Sequence, residues 1–479
     1  MNLPSASLPL PPGPVGLPLV GSAFHFIGPF SRSPHTVLTN LAETYGPVMS
    51  FRPGTAGTFV VVSSPAAARE ALVDNDTALG SRFVPDVARA AAHSAESLFF
   101  LPTSSALWRR HRATVGAHMS AGAAGRGRGL DGTRRVRDRH ARRLAEKVRA
   151  RSGTPVEVGE AVLDVVGNTL FSEDVAGMRV RQGGRRLLFQ DLVAAVLHDW
   201  TRPNVSDAFP FLAPVDLLGS RHRVTRGLME LYRFFDDEFI ERRLASGENH
   251  GDLLDVVLAR HAMSELTRSE ITKFFTDIFL AASNTSRITV EWAMVLLLKH
   301  QDKMKKVQAE LAASLGSKDF VEEHDLNKLP YLHAVVKETL RLQPPAPLVP
   351  RMVATDGVSL GGFSVPIGTY VLVNLWAIGR DPEVWPRPEE FLPERFLGSQ
   401  AADFRGLDFA YKPFGAGRRM CPGLDFATRL VPLLLASMLH KIEWRLPGGM
   451  APEDVDLRDR YSMVLELDKP LHAVPVSMP

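Results

Sequence analysis

The sequence has 479 residues, of which 45% are apolar and 23% charged, as in an ordinary globular protein. Its 56 basic and 53 acidic residues give a net charge of only +3, which provides no global argument for nucleic-acid binding. A single cysteine excludes an internal disulfide framework and fits a reducing compartment.

The chain begins with a proline-rich segment. Pro11, Pro12 and Pro14 predict an extended, fairly stiff strap. No apolar run reaches the roughly 18 residues of a membrane span, and no signal-peptide pattern is visible. We therefore predict a hinge without a membrane anchor at residues 1–14, in a chain that is either truncated or naturally anchorless, and one large catalytic domain at residues 15–479.

Helical periodicity dominates the rest of the chain. Apolar residues recur at three- and four-residue spacing in residues 37–45, 66–74, 105–119, 136–150 and 220–243. Short strand-like pieces occur at residues 48–52, 58–62, 371–374 and 462–467. Prolines in residues 203–219 predict a break between two helical stretches. The pattern predicts a mainly α protein with a small β region.

A basic run interrupts the even charge distribution. Residues 126–151 contain eleven basic and three acidic side chains, an excess of eight positive charges. One interpretation is the solvated face of a helix. The other is a docking face for an acidic redox partner or an anionic membrane surface. Aromatic residues are not interleaved here, so nucleic acid is not indicated.

The longest predicted helix covers residues 270–300, which corresponds to about 45 Å. Its middle, residues 281–286, is small or polar, with the sequence Ala-Ala-Ser-Asn-Thr-Ser. A core helix is usually filled with larger apolar side chains at such positions. The small residues predict either space for a non-protein group or a polar face in contact with solvent.

Cys421 follows a glycine- and arginine-rich loop and precedes the apolar run 424–439. A lone cysteine can be a buried apolar residue, a nucleophile or a metal ligand. Arg418 and Arg419 favour a thiolate, and the glycines allow close approach of another group. Pro422 suits the first position of the following helix, which predicts Cys421 at its N-cap. Together these features favour a metal ligand.

This loop resembles the haem-binding loop of cytochromes P450, Phe-x-x-Gly-x-Arg-x-Cys-x-Gly. All five fixed positions match, namely Phe414, Gly417, Arg419, Cys421 and Gly423. The resemblance implies the cytochrome P450 fold, with haem b held between the long helix and the cysteine loop. It also implies that Cys421 is the thiolate ligand of the iron and that the other four residues bind the cofactor.

Two further motifs extend the resemblance to other parts of the chain. Glu338 and Arg341 form the family's Glu-x-x-Arg pair, and Arg395, in Pro-Glu-Arg-Phe, takes the place of the third member of its buried charge network. Trp108 and Arg112 match a Trp-x-x-x-Arg motif that contacts the haem propionates. Arg351 matches another propionate arginine, and Arg419 is a third.

The long helix departs from the family's oxygen-handling pattern. Thr285 is present, but the usual glycine is Ala282 and the usual acid is Asn284. In the family the threonine hydroxyl hydrogen-bonds the bound oxygen, and the acid helps to supply protons for O–O cleavage. Asparagine cannot supply a proton at neutral pH. Thr285 and Asn284 are therefore the predicted catalytic residues, and we expect slower turnover or more peroxide release than in an Asn284→Asp variant.

The whole chain looks most like the plant A-type branch, and in detail like its terpenoid-oxidising, geraniol-hydroxylase-type members, with flavonoid or phenylpropanoid hydroxylases next. The implied reaction inserts one atom of O₂ into a hydrophobic small molecule. Electrons come from NADPH through NADPH–cytochrome P450 reductase. The implied location is the cytosolic face of the endoplasmic reticulum, at the membrane surface.

By family position the substrate pocket is lined by residues 87–103, 276–285, 346–349 and 462–464, and it includes Ala281, Ala282, Leu348, Val349 and Met463. Two alternatives to a monooxygenase stay open. One is a reductase-independent haem-thiolate isomerase or dehydratase, against which Thr285 argues. The other is a non-catalytic haem- or ligand-binding protein, which Ala282 and Asn284 make conceivable.

Overall fold

The computed structural model describes residues 8–26, 33–121, 129–154, 156–157, 161–182, 185–201, 204–398, 401–462, 464–470 and 472–477. The helices within these residues are α1 Pro34–Tyr45, α2 Pro65–Arg69, α3 Ala106–Met119, α4 Gly129–Gly132, α5 Arg134–Ala150, α6 Ala161–Phe171, α7 Phe189–Thr201, α8 Val205–Ala208, α9 Ser220–Phe235, α10 Arg242–Ser246, α11 Leu253–Ala262, α12 Arg268–Lys299, α13 Gln301–Leu315, α14 Pro330–Leu342, α15 Leu375–Ile378 and α16 Leu424–Leu439. The prediction of a mainly α protein is confirmed.

Shorter 3₁₀ turns include Asp86–Ala95, Pro210–Val215, Pro393–Phe396 and Gly417–Arg419, and π-helical turns occur at Glu70–Asp74 and Asp236–Glu241. The strands are β1 Val48–Phe51, β2 Phe59–Val62, β3 Val156–Glu157, β4 Arg179–Gln182, β5 Arg185–Leu188, β6 Leu348–Met352, β7 Val358–Leu360, β8 Phe363–Val365, β9 Tyr370–Asn374, β10 Ile442–Arg445, β11 Asp459–Ser462, β12 Val464–Leu467 and β13 His472–Ser477.

Helix α12 is the central element of the core. It begins at a capping box, in which the Thr267 hydroxyl accepts from the Glu270 N–H and the Glu270 carboxylate accepts from the Thr267 N–H. Its 32 residues correspond to about 48 Å, and it packs against α6, α9, α14 and α16. Trp292, completely buried, donates to the carbonyl of Leu465 at 2.9 Å and joins α12 to β12.

The largest sheet has four strands in the order β1-β2-β9-β6 and lies at one end of the chain's helical body. β2 and β9 are parallel, whereas β1–β2 and β6–β9 are antiparallel. The isolated bridge between Ser81 and Met352 extends this sheet beside β6. Predicted strand 462–467 is instead the second arm of the β11–β12 hairpin, because the chain reverses direction between Ser462 and Val464.

The basic run lies mainly on α5, and its arginines largely bind neighbouring elements. Arg137 is buried against Glu323, and Arg143 pairs with Asp174 at 2.7 Å. The guanidinium of Arg142 lies 4.7 Å from the ring centroid of Phe320. Most basic side chains of α5 are nevertheless exposed, as the interpretation of a solvated helix face expects, and Arg137 is the buried exception. Arg126 and Arg128 lie outside the described residues.

In the described part of the chain, none of the helices combines the length and the apolarity that crossing a bilayer requires.

Candidate active site

The middle of α12 interrupts an otherwise buried helix. Within residues 271–298, the four residues that are not buried are Ala281, Ala282, Thr285 and Arg287. The first three share one face of the helix, because they lie at positions i, i+1 and i+4. Since α12 runs through the core, this face borders a space inside the protein. The small residues predicted there therefore lie where a non-protein group has room.

Thr285 and Asn284 are held by short local hydrogen bonds. The Thr285 hydroxyl donates to the carbonyl of Ala281 at 2.7 Å. Asn284 is buried, and its Oδ1 accepts from Arg287 at 3.1 Å. Among the described residues, the amino group of Asn284 has no hydrogen-bond partner. Sequence reasoning missed Arg287, although its spacing of three from Asn284 and four to Glu291 was a usable signal.

The cysteine loop is shaped by backbone contacts. The Cys421 N–H donates to the Phe414 carbonyl at 2.9 Å, which closes the loop. Gly417 has a φ of 69°, and a side chain there would collide with the Leu72 carbonyl of the neighbouring π-helical turn. Only glycine satisfies both conditions at this position.

The predicted N-cap position of Cys421 is wrong. Helix α16 begins at Leu424 with Gly423 as its N-cap, because Pro422 belongs to the turn before the helix and not to its first position. Burial raises the pKa of the Cys421 thiol, and the Gly423 N–H, Arg112 and Arg82 oppose that rise without cancelling it. The expected thiolate therefore forms only when the sulfur binds a positively charged group such as a metal ion.

Four arginines converge near this cysteine without carboxylate partners. Burial, assisted by repulsion from neighbouring arginines, lowers the pKa of Arg419 to about 9 and that of Arg351 well below its usual range. Burial likewise lowers the pKa of Arg82 to about 10 and lowers that of Arg112. None of the four forms an ion pair with a described residue. Positive charges that are removed from water need a negatively charged partner, so this cluster indicates a binding site for an anion.

Arg82 is the member of this cluster that sequence reasoning missed. The bridge between Ser81 and Met352 brings Arg82 beside Arg351, although 269 positions separate them in the chain. The buried Nε of Arg82 has no hydrogen-bond partner among the described residues. No local spacing in the sequence distinguishes Arg82 from a surface arginine, because its partner is supplied by the sheet.

Trp108 and Arg419 lie against each other. The Arg419 guanidinium lies 5.5 Å from the ring centroid of Trp108 and donates to the carbonyls of Gly80 at 2.8 Å and Phe99 at 3.1 Å, and to that of Leu101. These bonds use three of its five N–H donors. Among the described residues, nothing accepts from the other two or from the indole N–H of Trp108, so these donors can serve a ligand.

The predicted charge network is assembled away from this cluster. Arg341 donates to the fully buried Glu338 carboxylate at 2.7 and 2.8 Å, and Arg395 donates to it at 3.1 Å. Arg341 also donates to the carbonyls of Gly379 and Pro388, and Arg395 to that of Pro386. The network thus fixes the irregular chain that leads towards the cysteine loop.

A second buried network, not foreseen from the sequence, holds part of the predicted pocket wall, residues 87–103, against α12. The Asp277 carboxylate contacts His93 at 2.9 Å, the Ser97 hydroxyl at 2.8 Å and the Leu98 N–H at 2.7 Å. The other ring nitrogen of His93 lies 2.7 Å from the Tyr232 hydroxyl. Three contacts to one buried carboxylate therefore hold this wall against α12.

The remaining predicted pocket residues divide into two groups. Leu348 and Val349 open β6, three and two positions before Arg351, with Leu348 buried and Val349 part-exposed. Met463 lies outside the described residues.

Comparison with known proteins identifies the family. The cytochrome P450 family model matches residues 11–472. Cytochrome P450 76M5 from Oryza sativa subsp. japonica is 42% identical over 98% of this chain and 93% of its own length. The chain belongs to the cytochrome P450 family. Ent-cassadiene C11-alpha-hydroxylase 1 from the same rice is 42% identical, and geraniol 8-hydroxylase from Catharanthus roseus is 40% identical. Each of these two alignments covers 98% of this chain and at least 93% of the relative's own length.

A solved structure of another cytochrome P450 has the same fold. A zebra fish cytochrome P450, in a structure with abiraterone, superposes with a TM-score of 0.74 at 25% identity, over 93% of this chain and 100% of that one. The protein is thus a haem-thiolate monooxygenase with the P450 fold and haem b as cofactor, and O₂ and a small molecule are its substrates.

The residues present fit that cofactor. Haem b carries two propionate carboxylates, and the four arginines here, two buried and two half-buried, form no ion pair with any described carboxylate. The orphaned Nε of Arg82 is a donor of the kind such an anion would satisfy.

Proposed function

We propose that Cys421 ligates the haem iron and that Thr285 and Asn284 act on the opposite, oxygen-binding side. The arginine cluster carries this proposal, because it supplies buried and half-buried cations that form no ion pair with a described residue and can bind two carboxylates. In the proposal Arg82, Arg112, Arg351 and Arg419 hold the propionates, with the indole N–H of Trp108. Phe414, Gly417 and Gly423 shape the loop around the sulfur.

When bound, haem supplies the activation of O₂ and its insertion into a C–H bond. The protein's residues supply the surroundings. Ala281, Ala282, Leu348 and Val349 present apolar surface and keep water from a hydrophobic substrate. The Thr285 hydroxyl, now bonded to the Ala281 carbonyl, has its oxygen lone pairs free to accept from water and can turn to donate a proton into the space.

The test is the spectrum of the reduced protein with carbon monoxide. Wild type should show the red-shifted Soret band of a thiolate-ligated haem, and Cys421→Ser should lose it while keeping its fold. Cys421→Ser with an unchanged band would contradict the assignment of the ligand.

We propose a terpenoid substrate, with flavonoids or phenylpropanoids as the next class. The support is similarity to relatives whose names specify geraniol and ent-cassadiene, together with the apolar residues proposed for the pocket. A panel of monoterpenoids, diterpene hydrocarbons and flavonoids, tested with a plant reductase and NADPH, decides between the classes. Turnover of flavonoids alone would reject terpenoids.

NADPH–cytochrome P450 reductase is the proposed electron donor. Arg405 and Arg418 expose basic side chains on the cysteine-loop side, which suits an acidic partner, and Arg109 is exposed on the neighbouring α3. The rate of reduction should fall with ionic strength and with Arg418→Glu, but not with Arg233→Glu, an exposed site on α9. Equal effects of the two reversals would contradict this face.

We also propose that the protein works at the cytosolic face of the endoplasmic reticulum membrane. Phe211, Val215 and Leu217 are 60–67% exposed, and Leu19 in the proline-rich region is 80% exposed. Both segments meet the β1–β2 turn, where the Thr55 N–H donates to Ala208 and the Gly54 N–H to Val20. Such adjacent apolar side chains fit a lipid surface. Flotation with vesicles should weaken in Phe211→Ser/Leu217→Ser.

A further inference from the structure

Arg287 lies one turn beyond Asn284 on α12, at the start of a row of charged side chains. Its guanidinium donates to Asn284 Oδ1 at 3.1 Å and to the buried Glu291 carboxylate at 2.8 Å. Glu466 of β12 lies 3.7 Å from the same guanidinium, and Arg460 of β11 lies 3.5 Å from Glu466. Arg460 is about half exposed, so the row leads from the protein surface to Asn284.

We infer that Arg287 is a positioning residue that fixes the carboxamide of Asn284 in one of its two orientations. Arginine only donates hydrogen bonds, so it binds the carboxamide through the oxygen. The amino group of Asn284 is then oriented away from Arg287, where it can donate to another acceptor. No described residue accepts a hydrogen bond from it. The inference rests on the proposed function, in which Asn284 and Thr285 serve the oxygen-binding side of the haem.

The carboxylates around Arg287 make this arrangement rigid. Glu291 is 4% exposed and its partner on the same helix is Arg287, at the favourable spacing of four residues. Glu466 approaches from a different element, so the guanidinium is bound from two sides. A guanidinium held in this way cannot follow a rotation of Asn284, and the orientation of the carboxamide is therefore set by charges outside the space beside Ala281.

Arg287 also decides what an acid at position 284 could do. Its guanidinium contacts the Asn284 side chain directly. An opposite charge within hydrogen-bond distance lowers the pKa of a carboxyl, so the group introduced by Asn284→Asp would stay ionised and unable to hold a proton. Restoring the family's acid alone is therefore expected to leave coupling nearly unchanged, which replaces the improvement that the sequence pattern alone predicted for Asn284→Asp. Removing Arg287 as well takes away the positive charge that contacts this buried position, so desolvation favours the protonated form of the introduced carboxyl.

The experiment is a double-mutant cycle of wild type, Asn284→Asp, Arg287→Ser and the double variant. Each haem-loaded protein is assayed with reductase for peroxide released per NADPH consumed. We expect Asn284→Asp to lie within about twofold of wild type, and Arg287→Ser to release about fivefold more peroxide, as for the loss of one hydrogen bond. The double variant should recover most of that loss.

Infrared difference spectra at neutral pH give a readout independent of turnover. The protonated-carboxyl band should be missing in Asn284→Asp and present in the double variant. The matched control is Arg268→Ser, because Arg268 lies on the same helix, is similarly exposed (28% against 32%) and pairs with Asp236 and Glu241. It should behave as wild type in both measurements.

Two results would overturn the inference. One is an equal gain in coupling from Asn284→Asp whether or not Arg287 is present. The other is a protonated carboxyl in Asn284→Asp alone, which decides the matter even if Arg287→Ser does not fold. Absence of the carbon monoxide band in wild type would instead contradict the proposed function, so the two failures are distinguishable.

Discussion

The two sides of the proposed haem site differ in how closely they follow the family pattern. On the cysteine side, every fixed position of the loop is present, and the loop is held by backbone bonds such as that from Cys421 to Phe414. On the α12 side, Ala282, Asn284 and Arg287 give the helix a polar chemistry of its own. The difference indicates that retaining the cofactor leaves little freedom, whereas oxygen handling can be retuned by side chains along one helix.

The largest effect is expected from the charge network that supports the cysteine side. Glu338→Ala removes the only carboxylate that the described contacts offer to Arg341 and Arg395, and stranding a buried charge typically costs about 3–5 kcal/mol. The haem-to-protein ratio of the purified variant should fall sharply. Arg233→Ala breaks an exposed pair of the same i,i+3 spacing and should change little. A normal haem-to-protein ratio in folded Glu338→Ala would show that the network does not contribute to haem retention.

Replacing one arginine of the cluster should stabilise the haem-free protein but weaken haem binding. Arg351 is 3% exposed and repelled by Arg82 and Arg419, so Arg351→Met is expected to stabilise the haem-free protein by about 1–2 kcal/mol. The same variant should bind haem about tenfold or more weakly, because a propionate loses its donor. Denaturant unfolding of both forms, together with haem transfer to apomyoglobin, measures the two effects. Destabilisation of both forms would contradict the anion-binding role.

A smaller effect is expected on the α12 side from Asp277→Asn. The amide must donate where the carboxylate accepted, so one of the bonds from Ser97 or the Leu98 N–H is lost, at about 1–3 kcal/mol. The pocket wall should loosen, raising the KM and broadening the products while the haem content stays normal. Loss of haem would instead show that Asp277 contributes to haem retention. The two sides of the haem site would then differ less than argued above.

The smallest effect concerns pH. Burial lowers the pKa of His111 on α3, and it does the same for His118 and His333. These groups are neutral when folded but bind protons more readily when unfolded, so stability is unaffected above the unfolded pKa of about 6.5 and falls as the pH drops below it. His111→Leu, which keeps the packing on Phe274, should reduce the acid sensitivity by up to about 1 kcal/mol between pH 7.5 and 5.5. An unchanged pH slope would contradict this account.

The sequence predicts what local pattern determines. Helix α12, the loop around Cys421 and the Glu338–Arg341 pair are each readable from a single segment, and Arg395 follows from the family motif. Arg82 and Asp277 are not readable, because their partners lie far along the chain and meet them only in the folded sheet and helix packing. The N-cap error at Cys421 has a local cause: proline fits the first position of a helix and also a turn, and nothing nearby decides between them.

Asp277 and Thr285 lie on the same straight helix, eight residues apart. Their separation along the axis is therefore about 12 Å, and no side-chain substitution can change it. Asp277 anchors residues 87–103 at one point of the helix, and Thr285 is the proposed reacting position. If that proposal holds, the helix fixes the length between them, and relatives with the same spacing are expected to differ in the breadth of the molecules they accept rather than in their length.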